Sequence, residues 1–233
     1  MEAVRSTQAD IASCVDQVLQ SRRSTRAYRP EPVAAHLVRE ILDCAATAPS
    51  NSNTQPWRVH ALAGTALRKL GDALVASSRE NRLPPSAHFP DPLPAEFGAR
   101  QADFATRYYD CLGIDRRDAA ARARQTEKNF HFFGAPAGLI FSIDARLTAH
   151  SWLDLGLFVQ NVMIAARARG LATCPQVSFA RFHPVIAAHL TMAPHHVTAC
   201  GMSLGLPDES APVNQVRMPR QGADTFAQFS GFE

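Results

Sequence analysis

The chain is 233 residues long, 46% hydrophobic, and carries a formal net charge of +3 at pH 7. That length suits a single α/β-type domain, and so small a charge gives no reason to expect a nucleic-acid surface. No run of about 18 apolar residues is present and the N-terminus lacks an apolar signal core, so the reading is a soluble, cytoplasmic protein that does not meet a membrane.

Ile11, Val15, Val18 and Leu19 recur at helical spacing and predict a helix starting near Asp10. A basic loop follows, Ser21-Arg22-Arg23-Ser24-Thr25-Arg26-Ala27-Tyr28-Arg29-Pro30. A second helix carries Leu37, Val38, Ile41, Leu42 and Ala45 in phase. Next comes the polar stretch "APSNSNTQPW", Ala48 to Trp57, then a strand over Trp57–Ala63 and a helix over Thr65–Ser78. Pro84, Pro85, Pro90, Pro92 and Pro94 exclude one continuous helix or a central strand and mark a crossover or lid. Two polar helices are expected around Ala95–Cys111 and Arg116–Phe132, the second with a weak apolar stripe, as in a partly exposed covering element. Ala137–Ile143, "AGLIFSI", reads as a buried strand. Ser151 is the expected cap of a helix bearing Leu155, Phe158, Val159, Val162, Met163 and Ala166, which Gly170 ends. Leu171–Phe179 reads as irregular or extended, broken by Pro175. A short helix around Val185–Leu190 and a strand around His196–Leu204 precede a long irregular tail, Pro207 to Glu233. The expected class is α+β. A single domain spans 1–233, with a lid at about 81–133 and a tail at about 207–233.

Several chemistries lack their signatures. There is no G-x-G-x-x-G and no G-x-x-x-x-G-K-[ST], so neither usual phosphate-loop fingerprint is present. The five cysteines, Cys14, Cys44, Cys111, Cys174 and Cys200, are scattered and never in C-x-x-C spacing, so buried free thiols are expected rather than disulfides or zinc. His195 and His196 are strand neighbours that point to opposite faces, so no metal site is assigned.

The basic loop is the first segment with a chemical order of its own. In an extended chain Arg22, Ser24 and Arg26 fall on one side, two residues apart. A guanidinium forks two N–H bonds to a phosphate, a hydroxyl serves a polyol, and a second cation meets an electron-rich ring edge. Phosphate, sugar-like chain and ring in that order describe FMN; a solvated basic turn is the bland alternative.

Taken together, "RRSTRAYRP", "APSNSNTQPW" about 25 residues later, "SWLDLGLFVQNVMIAARARGLATCPQ", "CGMSLGLP" and the terminal "VNQVRMPR" resemble the nitroreductase family of FMN enzymes. The segments run in order from Arg22 to Arg220 and so span most of the chain. The resemblance implies a mainly antiparallel sheet flanked by helices, in an intertwined homodimer with FMN at the subunit interface. It implies that Arg22 holds the FMN phosphate, with Arg23 and Ser24 beside the phosphate and ribityl chain. Arg26 falls near flavin N1 and the C2 carbonyl, where it would support the negative charge that reduction places there. Pro49, Ser50, Asn51 and Asn53 correspond to a loop that one subunit lays against the flavin of the other. Pro175, Val177 and Ser178 correspond to a segment passing the isoalloxazine edge. Arg217 corresponds to a second phosphate arginine, and Gln215 falls where relatives often carry Lys. Trp57 is assigned to packing. No side chain is assigned as a catalytic acid.

The activity implied by the resemblance is a ping-pong cycle: NADH or NADPH reduces FMN, and a small aromatic acceptor reoxidises it, nitro to hydroxylamine. The lid pattern Thr106-Arg107-Tyr108-Tyr109-Asp110-Cys111-Leu112-Gly113-Ile114 and "NFHFFGAP", Asn129 to Pro136, are similar to the nitrobenzoate and nitrobenzene reductase branch. Phe130, Phe132 and Phe133 are candidates to flank an aromatic substrate, and Arg100, Arg107 or Arg124 to meet a substrate carboxylate. Two other readings stand beside this one: a quinone or flavin reductase with incidental nitro reduction, and a non-enzymatic anion-binding module.

Overall fold

A computed structural model describes residues 7–80 and 90–232. Eight α-helices and one four-stranded sheet occur among them. Helix α1 (Gln8–Ser21) starts at Thr7, whose hydroxyl accepts the Asp10 N–H while Asp10 Oδ2 accepts the Thr7 N–H, a reciprocal capping box. Its apolar stripe buries nothing within the chain: Ile11, Val15 and Leu19 are all exposed. Helix α2 (Ala35–Ala45) does bury its stripe through Val38, Ile41 and Ala45.

Strands β1 (Arg58–Ala63), β2 (Ala137–Asp144), β3 (Ala172–Gln176) and β4 (His196–Gly205) lie in the order β1-β2-β4-β3, every neighbouring pair antiparallel. The expected antiparallel α+β sheet is therefore present. Period-two alternation divides β2 between two cores. Leu139, Phe141 and Ile143 face α2 and the long helix α6 (Ala149–Ala168), joining Phe158 and Val162 of the latter. Ile140 faces the opposite side, against α3 (Gly64–Glu80) and α7 (His183–Leu190). Gly138 lies on that second face because a Cβ there would come within 2.6 Å of Leu67 and Phe132 side-chain carbons. Trp57 stacks on Phe158, centroids 4.7 Å apart and planes 3° apart, which is the packing role expected of it.

Three details differ from the sequence expectations. Ser151 does not cap α6; Thr148 precedes that helix without a side-chain cap bond, and Ser151 sits in its first turn. The second lid helix, α5 (Ala119–Phe130), starts later than Arg116 because Asp118 Oδ1 accepts the Ala121 N–H and so caps it there. Of the two forms expected for Leu171–Phe179, the extended one is present over β3, which tolerates Pro175 because β3 is an edge strand of the sheet. Cys14 and Cys44 are exposed, whereas Cys174 and Cys200 are buried as expected.

The first lid helix, α4 (Ala95–Cys111), buries no residue. Pro84 and Pro85 of the lid crossover lie outside the described residues. The tail carries the short helix α8 (Pro212–Gln215) and then leaves Phe226, Phe229 and Phe232 exposed. No helix among the described residues is long and apolar enough to cross a membrane.

Candidate functional site: an arginine-lined groove

The basic loop runs along the open edge of β3. Ser24 bridges Thr173 in parallel, and the Thr25 N–H donates to the Thr173 carbonyl at 3.0 Å. Along this extended path Thr25 is fully buried, while Arg22, Ser24 and Arg26 line one groove as expected; Arg23 lines it too, so the alternation holds at Thr25 and not at Arg23.

The tail forms a second wall, and Asn214 fixes it there. Asn214 is 1% exposed; its Oδ1 accepts the Arg26 N–H at 2.8 Å, and its Nδ2 donates to the Ala27 and Asp208 carbonyls, each at 2.8 Å. One amide thus ties residues nearly the whole chain apart and brings Arg217 and Arg220 opposite Arg22. The groove between them is about 1060 Å³, large enough for a cofactor-sized ligand. Its third wall is α4, which contributes Arg100, Phe104, Arg107 and Tyr108.

The electrostatics of the groove are unbalanced. Arg23 pairs with Glu209. Arg22, Arg217 and Arg220 have no carboxylate partner among the described residues; Arg217 and Arg220 only donate to nearby backbone carbonyls. Arg167, from the last turn of α6, lines the same groove and donates from Nε to Ser21 Oγ at 2.8 Å. Burial, and after it the positive charge of Arg220, lowers the Arg22 pKa from its ordinary value. Guanidinium groups gathered without acids form a ready anion site, because an entering anion removes the repulsion that the free protein bears.

Arg26 is held from the other side by aromatic rings. Its guanidinium carbon lies 5.4 Å from the Phe104 centroid and 5.1 Å from that of Tyr108, and those two rings stack at 5.5 Å. Such cation–π contacts contribute about 0.5–1 kcal/mol each at partly exposed sites. Tyr108 Oη accepts the Gln125 Nε2–H at 2.8 Å, so α5 steadies the ring that steadies Arg26. Burial raises the Tyr108 pKa, opposed by the Gln125 bond and the Arg26 charge.

Residues 19–206 match the family model described as "Nitroreductase family". This chain belongs to the nitroreductase family. It is 48% identical over 218 residues to a 4-nitrobenzoate reductase of Pseudomonas putida, covering 94% of this chain and 96% of that one. It is 39% identical over 218 residues to a nitrobenzene nitroreductase of Ectopseudomonas oleovorans, covering 92% and 96%. Among solved structures it resembles the FMN-dependent nitroreductase NfnB from Mycobacterium smegmatis in complex with NADPH: TM-score 0.89, 32% identity, 95% of this chain and 100% of that one. The fold described above is accordingly a nitroreductase fold.

Of the family positions named from the sequence, Arg22, Arg23, Ser24, Arg26 and Arg217 meet in this one groove. Arg220 joins them. Gln215 does not line the groove; it is exposed and its amide donates to the Glu209 carbonyl. Pro49, Ser50, Asn51 and Asn53 also lie outside that groove, near the start of α6, where Asp154 Oδ2 accepts the Asn51 N–H at 3.1 Å. The polar loop is nevertheless tightly shaped. Ser52, Asn53 and Gln55 all have positive φ, and Ser50 Oγ accepts the Gln55 N–H at 3.1 Å. Pro175 pairs with Met202 in the sheet, Val177 is 59% exposed, and Ser178 Oγ accepts the Asn129 Nδ2–H at 2.8 Å. Phe130 and Phe132 are buried core residues, and Phe133 is half-buried. Sequence reasoning did not single out Asn214, Arg167 or the Phe104–Tyr108 pair. Only the spacing of Phe104 and Tyr108, one helical turn apart, pointed toward a shared face.

Proposed function

We propose that this protein is an FMN-dependent oxidoreductase that uses NAD(P)H to reduce nitroaromatic compounds, nitro to hydroxylamine. The observation that carries the reading is the cluster of arginines without acid partners, Arg22, Arg217 and Arg220, set beside Arg26 in one groove of a nitroreductase fold. The groove fits FMN at both ends. The three guanidinium groups suit a phosphate, the Ser24 hydroxyl beside them suits the ribityl chain, and Arg26 suits the electron-rich ring edge. FMN, when bound, supplies the two-electron transfer between nicotinamide and acceptor.

The protein's part is binding and charge. Arg22 and Arg217 hold the phosphate, and Arg23 stays oriented by Glu209. Arg26 keeps its positive charge at every working pH because a guanidinium does not deprotonate in practice. Its aromatic support from Phe104 and Tyr108 fixes where that charge acts. The names of the relatives, a 4-nitrobenzoate reductase and a nitrobenzene nitroreductase, support a nitroaromatic acceptor.

The working unit is a homodimer. The polar loop from Pro49 to Asn53 completes the site of the partner protomer, and the apolar residues left uncovered on α1 and the tail, Ile11, Val15, Leu19, Phe226, Phe229 and Phe232, support that arrangement. Pro175, Val177 and Ser178 run past the ring edge from the same chain as the arginines. Gln215, outside the groove, acts at most through Glu209.

An absorbance spectrum of the purified protein tests the function. Flavin bands that bleach under anaerobic NADPH or NADH and return with 4-nitrobenzoate are expected. Bleaching that returns only with a quinone would make nitro reduction incidental, and a protein that takes up no FMN would overturn the proposal. Sedimentation of a chain truncated after Arg220 tests the dimer: the expected result is a weakened dimer with loosened FMN, and an unchanged yellow dimer would refute the tail's role.

A further inference from the structure

Of the lid arginines, Arg100, Arg107 and Arg124 are the candidates to meet an acidic acceptor, and their surroundings separate them. Arg124 is exposed and does not line the groove. Arg107 lines it, but its Nε–H is shared between Asp103 Oδ1 and Oδ2, each at 2.9 Å, and that carboxylate raises its pKa. Arg100 also lines the groove, and its position is different. Its nearest carboxylate oxygen, on Glu96, is 3.7 Å away, with the two side chains 43% and 65% exposed. That separation exceeds a hydrogen bond, and exposed pairs of this kind contribute about 0–1 kcal/mol. Among the described residues no hydrogen bond engages its five N–H donors.

Two aromatic groups flank that free fork. The Arg100 guanidinium carbon sits 4.8 Å from the centroid of Phe97, itself 48% exposed. One helical turn further along α4, on the same face, comes Phe104, and one turn beyond it Tyr108, stacked on Phe104 and over Arg26. The helix therefore presents a cation with no hydrogen-bonded carboxylate, then an aromatic surface, then the residues that support Arg26. Arg100 and Phe104 are about 6 Å apart along the axis. This is the layout that receives a planar ring carrying a carboxylate at its outer end, because a guanidinium fork matches a carboxylate in a bidentate fashion while the ring lies on aromatic carbon.

We infer that Arg100 is the specificity residue of this site: it binds the carboxylate of an aromatic carboxylate acceptor whose ring packs along the Phe104 face of α4. The inference rests on the proposed nitroreductase reading. Glu96 gives way to the substrate carboxylate, and Asp103 keeps Arg107 from competing for it.

The test uses the full-length, FMN-loaded protein with Arg100→Gln and Arg100→Lys, and Arg124→Gln as a surface control. Two quantities are measured: the ratio of kcat/KM for 4-nitrobenzoate to that for nitrobenzene, and the Kd of benzoate read from the flavin spectrum. The expected result for Arg100→Gln is a fall of about 10- to 100-fold in the ratio and a matching loss of benzoate affinity, the factor set by losing a charge-assisted hydrogen bond. Arg100→Lys restores part of both, and Arg124→Gln changes neither. An unchanged ratio and benzoate Kd in Arg100→Gln would overturn the assignment, as would a raised KM for NADPH with the ratio intact, which would give Arg100 to the donor's phosphate. Absence of benzoate binding to the unmutated protein would also overturn it. If neither nitroarene reoxidises the reduced protein, the nitroreductase reading itself has failed, and the benzoate Kd series still decides whether Arg100 binds an aryl carboxylate.

Discussion

Replacing Arg22 by Gln perturbs the free protein and the FMN complex in opposite directions. In the free protein Arg22 is half-buried, faces Arg220, and has no acid partner among the described residues. Burial and then Arg220 depress its pKa, so the unfolded chain holds this proton more firmly than the folded one. By linkage the charge opposes folding at every pH below the depressed value, which includes all working conditions. Gln removes that cost, so the melting temperature of FMN-free Arg22→Gln should equal or exceed that of the parent. In the complex the same substitution removes a charge-assisted contact to phosphate, worth about 1.5–3 kcal/mol. With Arg217 and Arg220 still in place, the FMN Kd should rise about 10- to 150-fold. Titration of apoprotein with FMN, followed by flavin fluorescence at two salt concentrations, measures it. The salt dependence should also be shallower in the variant because one screened contact is gone. A Kd within about twofold of the parent would refute the placement of the phosphate at Arg22, and a lowered melting temperature of the free variant would refute the charge cost in the free protein.

Three further outcomes are expected. Arg26→Ala, measured in a flavin-loaded protein, should lower the two-electron potential by about 30 mV for each 1.4 kcal/mol of lost charge stabilisation; an unchanged potential would count against a ring-edge role. Asn214→Ala removes a buried amide that makes three hydrogen bonds of 2.8 Å, leaving the Arg26 N–H and two carbonyls to find new partners. It should cost about 2–4 kcal/mol in denaturant unfolding and weaken FMN binding with it, because the tail arginines lose their anchor; full stability with a tight flavin would show the clamp to be dispensable. Thiol titration of the native protein should find Cys44 fast and Cys200 silent until unfolding, since burial pushes the Cys200 thiol up to about 12. Protection of Cys14 in the dimer would locate α1 at the interface, whereas rapid labelling of Cys200 would contradict its burial.

Local patterning made most of the fold legible. The stripe of α2, the apolar run of β2, broken only by Ser142 before Asp144, and the helical spacing in α6 each report burial that a short window already contains. The basic loop was readable for a related reason: an extended chain alternates sides, so Arg22, Ser24 and Arg26 share a face wherever the strand is placed. Boundaries were less legible, because they depend on which residue wins a cap. Asp118 capped α5 where the apolar pattern gave no mark, and the Thr148 turn displaced Ser151. The exposure of Ile11, Val15 and Leu19 was not legible at all. An amphipathic helix reads the same whether its apolar face meets its own core or another surface.

Neighbours a few residues apart account for most of the elements, the two-sided burial of β2 and the order of cation, hydroxyl and cation along the basic loop; β3 and α8 took their form from the sheet and the tail. Tertiary structure alone decided which distant residues share the groove. Asn214 brings the tail against a loop near the other end of the chain, and α4 lays Phe104 and Tyr108 over Arg26. It also decided which lid arginine remained unengaged, because the competition among Asp103, Glu96 and three guanidinium groups is settled by distances in space. No periodicity encodes such distances. They arise from how the sheet, the tail and the lid pack together.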